Sequence, residues 1–124
     1  MGGVEWTLSI LQDADSLSEY TVEYATAFLL NLTLRTAGKD RCEQSTARCL
    51  EALIDLLEYD NSQVKQYVHG TLYAILNRGS LKERAKSLGL GEMLQALADV
   101  YRSQTNMPLA AQVESFLLKY CSHS

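Results

Sequence analysis

A single proline and seven glycines stand among 124 residues, too few for a collagen-like or low-complexity chain. Long apolar runs are absent as well. None exceeds four residues, as at Ala27 to Leu30, so nothing approaches the ~18 residues of a membrane span. The three cysteines are odd in number and lack framework spacing, which points to a reducing compartment and a cytoplasmic chain. Met1-Gly2-Gly3 offers no basic n-region, so no secretory signal is expected. Lysine and arginine are missing altogether from residues 1–34, which hold Glu5, Asp13, Asp15, Glu19 and Glu23. With a net charge of −4 the chain repels phosphate backbones, and nucleic acid is not an expected partner.

What is present is apolar content, 47% of residues, arranged with helical period. That fraction excludes a disordered chain. Ser18 is placed to cap a helix over about 19–35, with Tyr24, Ala25, Phe28, Leu29 and Leu32 on one inward stripe and Gly38 as its breaker. A helix over about 45–58 follows, with Cys49, Leu50, Leu53, Ile54 and Leu57 in register. After the Asp60-Asn61-Ser62 turn, a helix to about residue 77 places Val64, Tyr67, Val68, Leu72 and Ile75 inward. Ser80 then caps a short helix to Leu88, Gly89 or Gly91 opens another through about Arg102, and Pro108 suits the first turn of a last one.

The helices repeat. At an offset of 43, Thr21-Val22-Glu23-Tyr24-Ala25 falls on Val64-Lys65-Gln66-Tyr67-Val68, and Leu29 falls on Leu72. At 44, Leu50-Glu51-Ala52-Leu53 meets Leu94-Gln95-Ala96-Leu97. Ala27 and Gly70 share a position where a crossing helix would need a small side chain. Val4 to Leu11 matches the end of such a unit, at offset 46. The expected division is therefore a remnant helix in 1–17, repeats in 18–60 and 61–104, and a capping helix in 105–124. The remnant should expose part of Leu8, Ile10 and Leu11 where a preceding repeat would sit, as in a segment of a longer array.

Catalytic constellations are not found. Cys42 and Cys49 lack a second ligand pair at zinc spacing, and Gly89-Leu90-Gly91 lacks the third glycine and Lys-Ser/Thr of a phosphate loop. Cys49 lies on the apolar stripe and reads as a buried structural thiol, whereas Cys121 sits beside the tail. The sequon Asn31-Leu32-Thr33 has its Leu in the expected core and is read as coincidence. No enzyme, metal or cofactor is expected.

A unit of about 43 residues, with Thr21, Ala25, Phe28-Leu29 and Asn31-Leu32 in the first copy and Val64, Val68, Thr71-Leu72 and Ile75 in the second, resembles the armadillo repeat. Gly89-Leu90-Gly91-Glu92-Met93-Leu94 is similar to that family's Gly-led helix. Within the family, Tyr20 to Gly38 and Pro108 to Tyr120 resemble the branch that carries an N-terminal LisH domain and resides at ciliary basal bodies. The resemblance implies an all-α, right-handed α-solenoid of about two repeats. It also implies a non-catalytic protein-binding scaffold of the cytoplasm and cytoskeleton, at the ciliary base or centriole.

On that reading Arg48, Glu51, Asp55, Glu58, Glu92, Gln95, Asp99 and Arg102 share a concave face, and Glu5, Asp13 and Asp15 extend its acidity. They would read a basic or extended peptide; the alternative is an ordinary solvated helix face. Trp6 has Ile10 one turn on instead of Asn, so the backbone-holding ladder of importin-like members is missing. Arg78, Lys82, Arg84 and Lys86 form a basic stretch suited to an acidic partner such as tubulin tails. A second reading is a homotypic module in which Val4–Leu11 stacks on Phe116, Leu117 or Tyr120 of another chain, and a third is a bundle without repeats.

Overall fold

The computed structural model describes residues 3–104 and 106–122, with side chains described as far as residue 115. Its described residues form eight α-helices and no strand. They are α1 (Gly3–Leu11), α2 (Glu19–Thr33), α3 (Thr36–Gln44), α4 (Thr46–Leu56), α5 (Ser62–Ile75), α6 (Gly79–Ser87), α7 (Leu90–Ser103) and α8 (Met107–Ser122), with a 3-10 turn at Ala14–Ser16 after α1.

Local chemistry sets three of the helix starts. The Ser18 hydroxyl accepts from the Thr21 N–H at 3.2 Å, and the Asn61 carbonyl oxygen accepts from the Val64 N–H at 3.0 Å. Each satisfies an orphan donor at the start of a helix. Gly89 enters α7 at φ 76°, the left-handed region where glycine is favoured.

Two boundaries differ from expectation. Helix α2 ends at Thr33, and Gly38 lies inside the short helix α3, where a Cβ would run into the Leu32 carbonyl. That glycine permits close approach between backbones and does not break the helix. Helix α6 starts at Gly79 without a side-chain cap, because Arg78 at the cap position has no acceptor; Ser80, expected as the cap, lies inside the helix and donates to Glu43 Oε2 at 2.7 Å.

Packing arranges the helices in two rows. Helix α5 lies between α2 and α8 in one row, while α1, α4 and α7 follow one another in the other, with α3 and α6 bridging. Leu29, Leu50, Leu53, Leu72, Leu81 and Leu94 fill the continuous core between them. Leu32 and Leu97 pack against it half-buried. The α2–α5 contact is extensive, whereas α4 and α7 are separated by an open cleft.

The remnant helix departs from expectation. Leu8 and Leu11 are buried, not exposed, because the Val4–Leu8–Leu11 stripe turns inward to the core beside α2 and α4, and of Leu8, Ile10 and Leu11 only Ile10 stays partly exposed. Trp6 on the other face remains 46% exposed, its ring edge-on to Phe28 with centroids 6.1 Å apart. Tyr24 is likewise not a core residue. It stands one turn after Tyr20, opposite the Val22–Leu29 stripe, and is 61% exposed. Phe116, Leu117 and Tyr120, invoked for homotypic stacking, lie outside the residues whose side chains are described.

Candidate protein-binding surface

The α1–α4–α7 row carries two clefts on either side of α4. The first, about 410 Å³, lies between α4 and α7 and is lined by Ile54, Asp55, Leu57, Glu58, Met93, Ala96, Leu97 and Val100. The second, about 450 Å³, lies between the end of α1 and α4. Asp13, Asp15, Asp55, Glu58 and Tyr59 are among its walls. Asp55 and Glu58 belong to both, so the exposed edge of α4 is an acidic crest between two depressions. Burial first, and then the field of Glu19, Asp15 and Glu23, push the Tyr59 phenol above its ordinary range.

The expected acidic set divides by position. Glu51 and Asp55 lie exposed along α4 and Glu58 in the turn just after it, and Glu92, Gln95 and Asp99 lie exposed along α7. The two cations do not belong with them as free charges. Arg48 donates from Nη2 to Ser9 Oγ at 2.7 Å and ties α4 to α1. Arg102 pairs with Asp99 and with Glu114, joining α7 to α8. Glu5 is also withdrawn, half-buried beside Arg41 at 3.6 Å. Asp13 and Asp15 do reach the crest's neighbourhood.

The basic stretch is not one patch. The Arg78 Nη1 contacts Asp40 Oδ1 at 2.7 Å and Glu43 Oε1 at 2.8 Å. The Ser80 hydroxyl and then the Arg78 guanidinium hold the Glu43 carboxyl below its usual range. Lys82 is buried. Arg84 and Lys86 are exposed. Arg78, Lys82 and Lys86 are spaced four apart, yet ion pairing withdraws the first and burial the second, and Arg84 points from another face.

Chemistry elsewhere is structural. No group of three or more His, Cys, Asp or Glu side chains among the described residues could hold a metal ion. Cys42 and Cys49 are free and fully buried, and their mutual hydrogen bond, with burial, pushes the Cys49 thiol far above its ordinary range. His69, in the interior, has Nδ1 3.2 Å from Gln112 Oε1 on α8. Its ring meets Tyr101 edge-on at 6.2 Å, and Lys65 Nζ stands 5.4 Å from the Tyr101 centroid. Burial depresses the His69 proton affinity, partly offset by Gln112. Among the described residues no helix is long and apolar enough to cross a membrane.

Sequence reasoning missed the floor of the α4–α7 cleft. Met93, Ala96, Leu97 and Val100 form a second apolar stripe on α7, beside the buried Leu90–Leu94–Ala98 stripe. The signal was present: apolar residues at two sets of i, i+3/i+4, i+7 positions exceed what one buried face uses. Tyr20, Tyr24 and Tyr73, exposed on the α2–α5 row, were also missed.

Repeated three-helix units, stacked in two rows over one core, define a helical-repeat protein of the armadillo class. The chain belongs to the family described as the ARM repeats of LisH domain-containing protein ARMC9, whose model matches residues 1–119. It is 39% identical over 118 residues to the ARMC9 protein of Danio rerio and 36% identical over 118 residues to that of Homo sapiens. Each match covers 95% of this chain and 14% of the relative. The ARMC9 protein of Xenopus laevis is 41% identical over 90 residues, 73% of this chain and 11% of that protein. The chain thus spans about one seventh of the first two relatives' length. No solved structure matches it.

Proposed function

We propose that this chain is a non-catalytic protein-interaction scaffold whose partner-facing surface is the open α1–α4–α7 row. The observation that carries the reading is the acidic crest of Glu51, Asp55 and Glu58 between two clefts, continued by Glu92, Gln95 and Asp99 on α7. Helices locked over a shared core hold these carboxylates at fixed spacing. Binding then costs little ordering of the scaffold, and modest contacts suffice. A partner with basic side chains complements the crest.

The cellular setting is the ciliary base, where the chain acts as part of a centriolar or basal-body protein in cilium assembly, stability and signalling. Family membership supports this reading. Tagged chain expressed in ciliated cells should concentrate with a centriole marker. Uniform cytoplasmic distribution would contradict the ciliary assignment and leave the scaffold reading in place.

A further inference from the structure

The α4–α7 cleft is an apolar trough bordered by the acidic crest of α4 and, on α7, by Glu92. Its floor is Ile54, Leu57, Met93, Leu97 and Val100, with Ala96 at the lip, and Met93 and Val100 remain 40% and 45% exposed. Asp55 and Glu58 stand on one wall with Glu51 exposed a turn earlier, and on α7 Glu92 is exposed beside Met93 while Asp99 is paired with Arg102. Arg102, the neighbouring cation, is already engaged by Asp99 and Glu114. The trough lies inside the stack, between neighbouring members of one row, so further repeats added at either end leave it uncovered. From Met93 to Val100 the helix makes seven rises, roughly 10 Å. That length matches two turns of a partner helix.

We infer that this trough docks a short basic amphipathic helix from a partner protein. Its apolar residues at i, i+3/i+4 and i+7 seat on Met93, Leu97 and Val100, and its flanking Lys or Arg side chains meet the α4 carboxylates on one side and Glu92 on the other. The division of labour follows from the chemistry. The apolar stripe supplies affinity through burial, and the carboxylates select basic over acidic segments and speed encounter. An acidic helix of the same apolar pattern is rejected by like charge. The inference rests on the scaffold reading above and specifies the segment it accepts.

The test uses the whole chain and a roughly 14-residue probe helix with Leu at i, i+4 and i+7 and Lys on both flanks. A counter-probe carries Glu for each Lys. Fluorescence anisotropy gives affinity, and the Met93 methyl resonance reports location. Ala96→Arg blocks the lip, while Ala111→Arg adds the same charge on an exposed position of α8. We expect the basic probe to shift the Met93 methyl, and the Glu probe and the Ala96→Arg chain each to bind at least about tenfold more weakly. Ala111→Arg should bind as the unaltered chain does.

Equal loss in both Arg variants, an unmoved Met93 signal, or no binding of the basic probe would overturn the inference. So would concentration-dependent dimerisation that Ala96→Arg abolishes, because the trough would then hold a second copy. If cellular partners are lost on Glu51→Lys, Asp55→Lys, Glu58→Lys but kept on Ala96→Arg, the scaffold stands and the trough does not. If none is captured by any form, the scaffold reading itself fails.

Discussion

Leu30 of α2 approaches to 3.3 Å the point where a Cβ on Gly70 of α5 would sit. This close approach joins the two repeats where α2 and α5 cross, as the pairing of Gly70 with Ala27 at offset 43 anticipates. Gly70→Ala sets a helix-propensity gain of about 1 kcal/mol against a contact Leu30 can relieve by a small rotation. The two nearly cancel. Gly70→Leu cannot be accommodated and costs ~1–3 kcal/mol by overpacking. Urea denaturation of both variants checks the order, and an unchanged midpoint for Gly70→Leu would remove this packing.

Gly38 faces backbone instead of a side chain. Its missing Cβ leaves room for the Leu32 carbonyl, which has no rotamer by which to yield. Gly38→Ala should therefore destabilise more than Gly70→Ala, by roughly 3 kcal/mol, the upper end of overpacking costs. Thermal melts of the two alanine variants rank them directly. Gly70→Ala proving the worse would contradict the α2–α3 geometry.

Asn61 has two tasks. Its carbonyl oxygen caps α5 at the Val64 N–H, and its Nδ2 donates to Glu23 Oε1 at 2.7 Å across to α2. Asn61→Ala should cost about 1 kcal/mol, the ordinary worth of a cap. Asn61→Asp keeps the cap but faces Glu19 and Glu23 with a third carboxylate, and its deficit should shrink as salt rises. Chemical denaturation at two ionic strengths measures both effects.

His69 gives stability a pH dependence of known sign. Burial lowers its folded-state proton affinity below the ordinary value of 6.5, with Lys65 adding to the effect and Gln112 opposing it. The unfolded chain therefore binds more protons as pH falls through that value. Its contribution is fully present above about pH 6.5 and is lost as pH falls toward the lower folded value. His69→Gln should flatten the stability profile below pH 6.5, and a slope unchanged by the substitution would place its origin elsewhere. The Glu43 contribution, whose folded affinity is depressed from 4.5, is lost only at still lower pH.

Much of the fold was legible because helix and repeat signals are local or periodic. Ser18, Asn61 and Pro108 marked real helix starts, and the 43-residue offset located equivalent helices. What failed depended on tertiary approach. Gly38 looks like a breaker until the Leu32 carbonyl is seen against it, and Leu8 looks like an orphan until α1 rolls its stripe inward. The surface was half legible. Helical spacing grouped Glu51, Asp55 and Glu58, yet charge alone could not reveal that Arg48, Arg78 and Arg102 are committed to partners within the chain.

Pull-down from ciliated-cell lysate tests the central claim most directly, comparing the unaltered chain with Glu51→Lys, Asp55→Lys, Glu58→Lys after both show equal helicity. The scaffold account predicts that centriolar or ciliary proteins retained by the first are lost by the second. Retention of the same proteins by both would contradict an acidic α4 crest as the partner-facing surface.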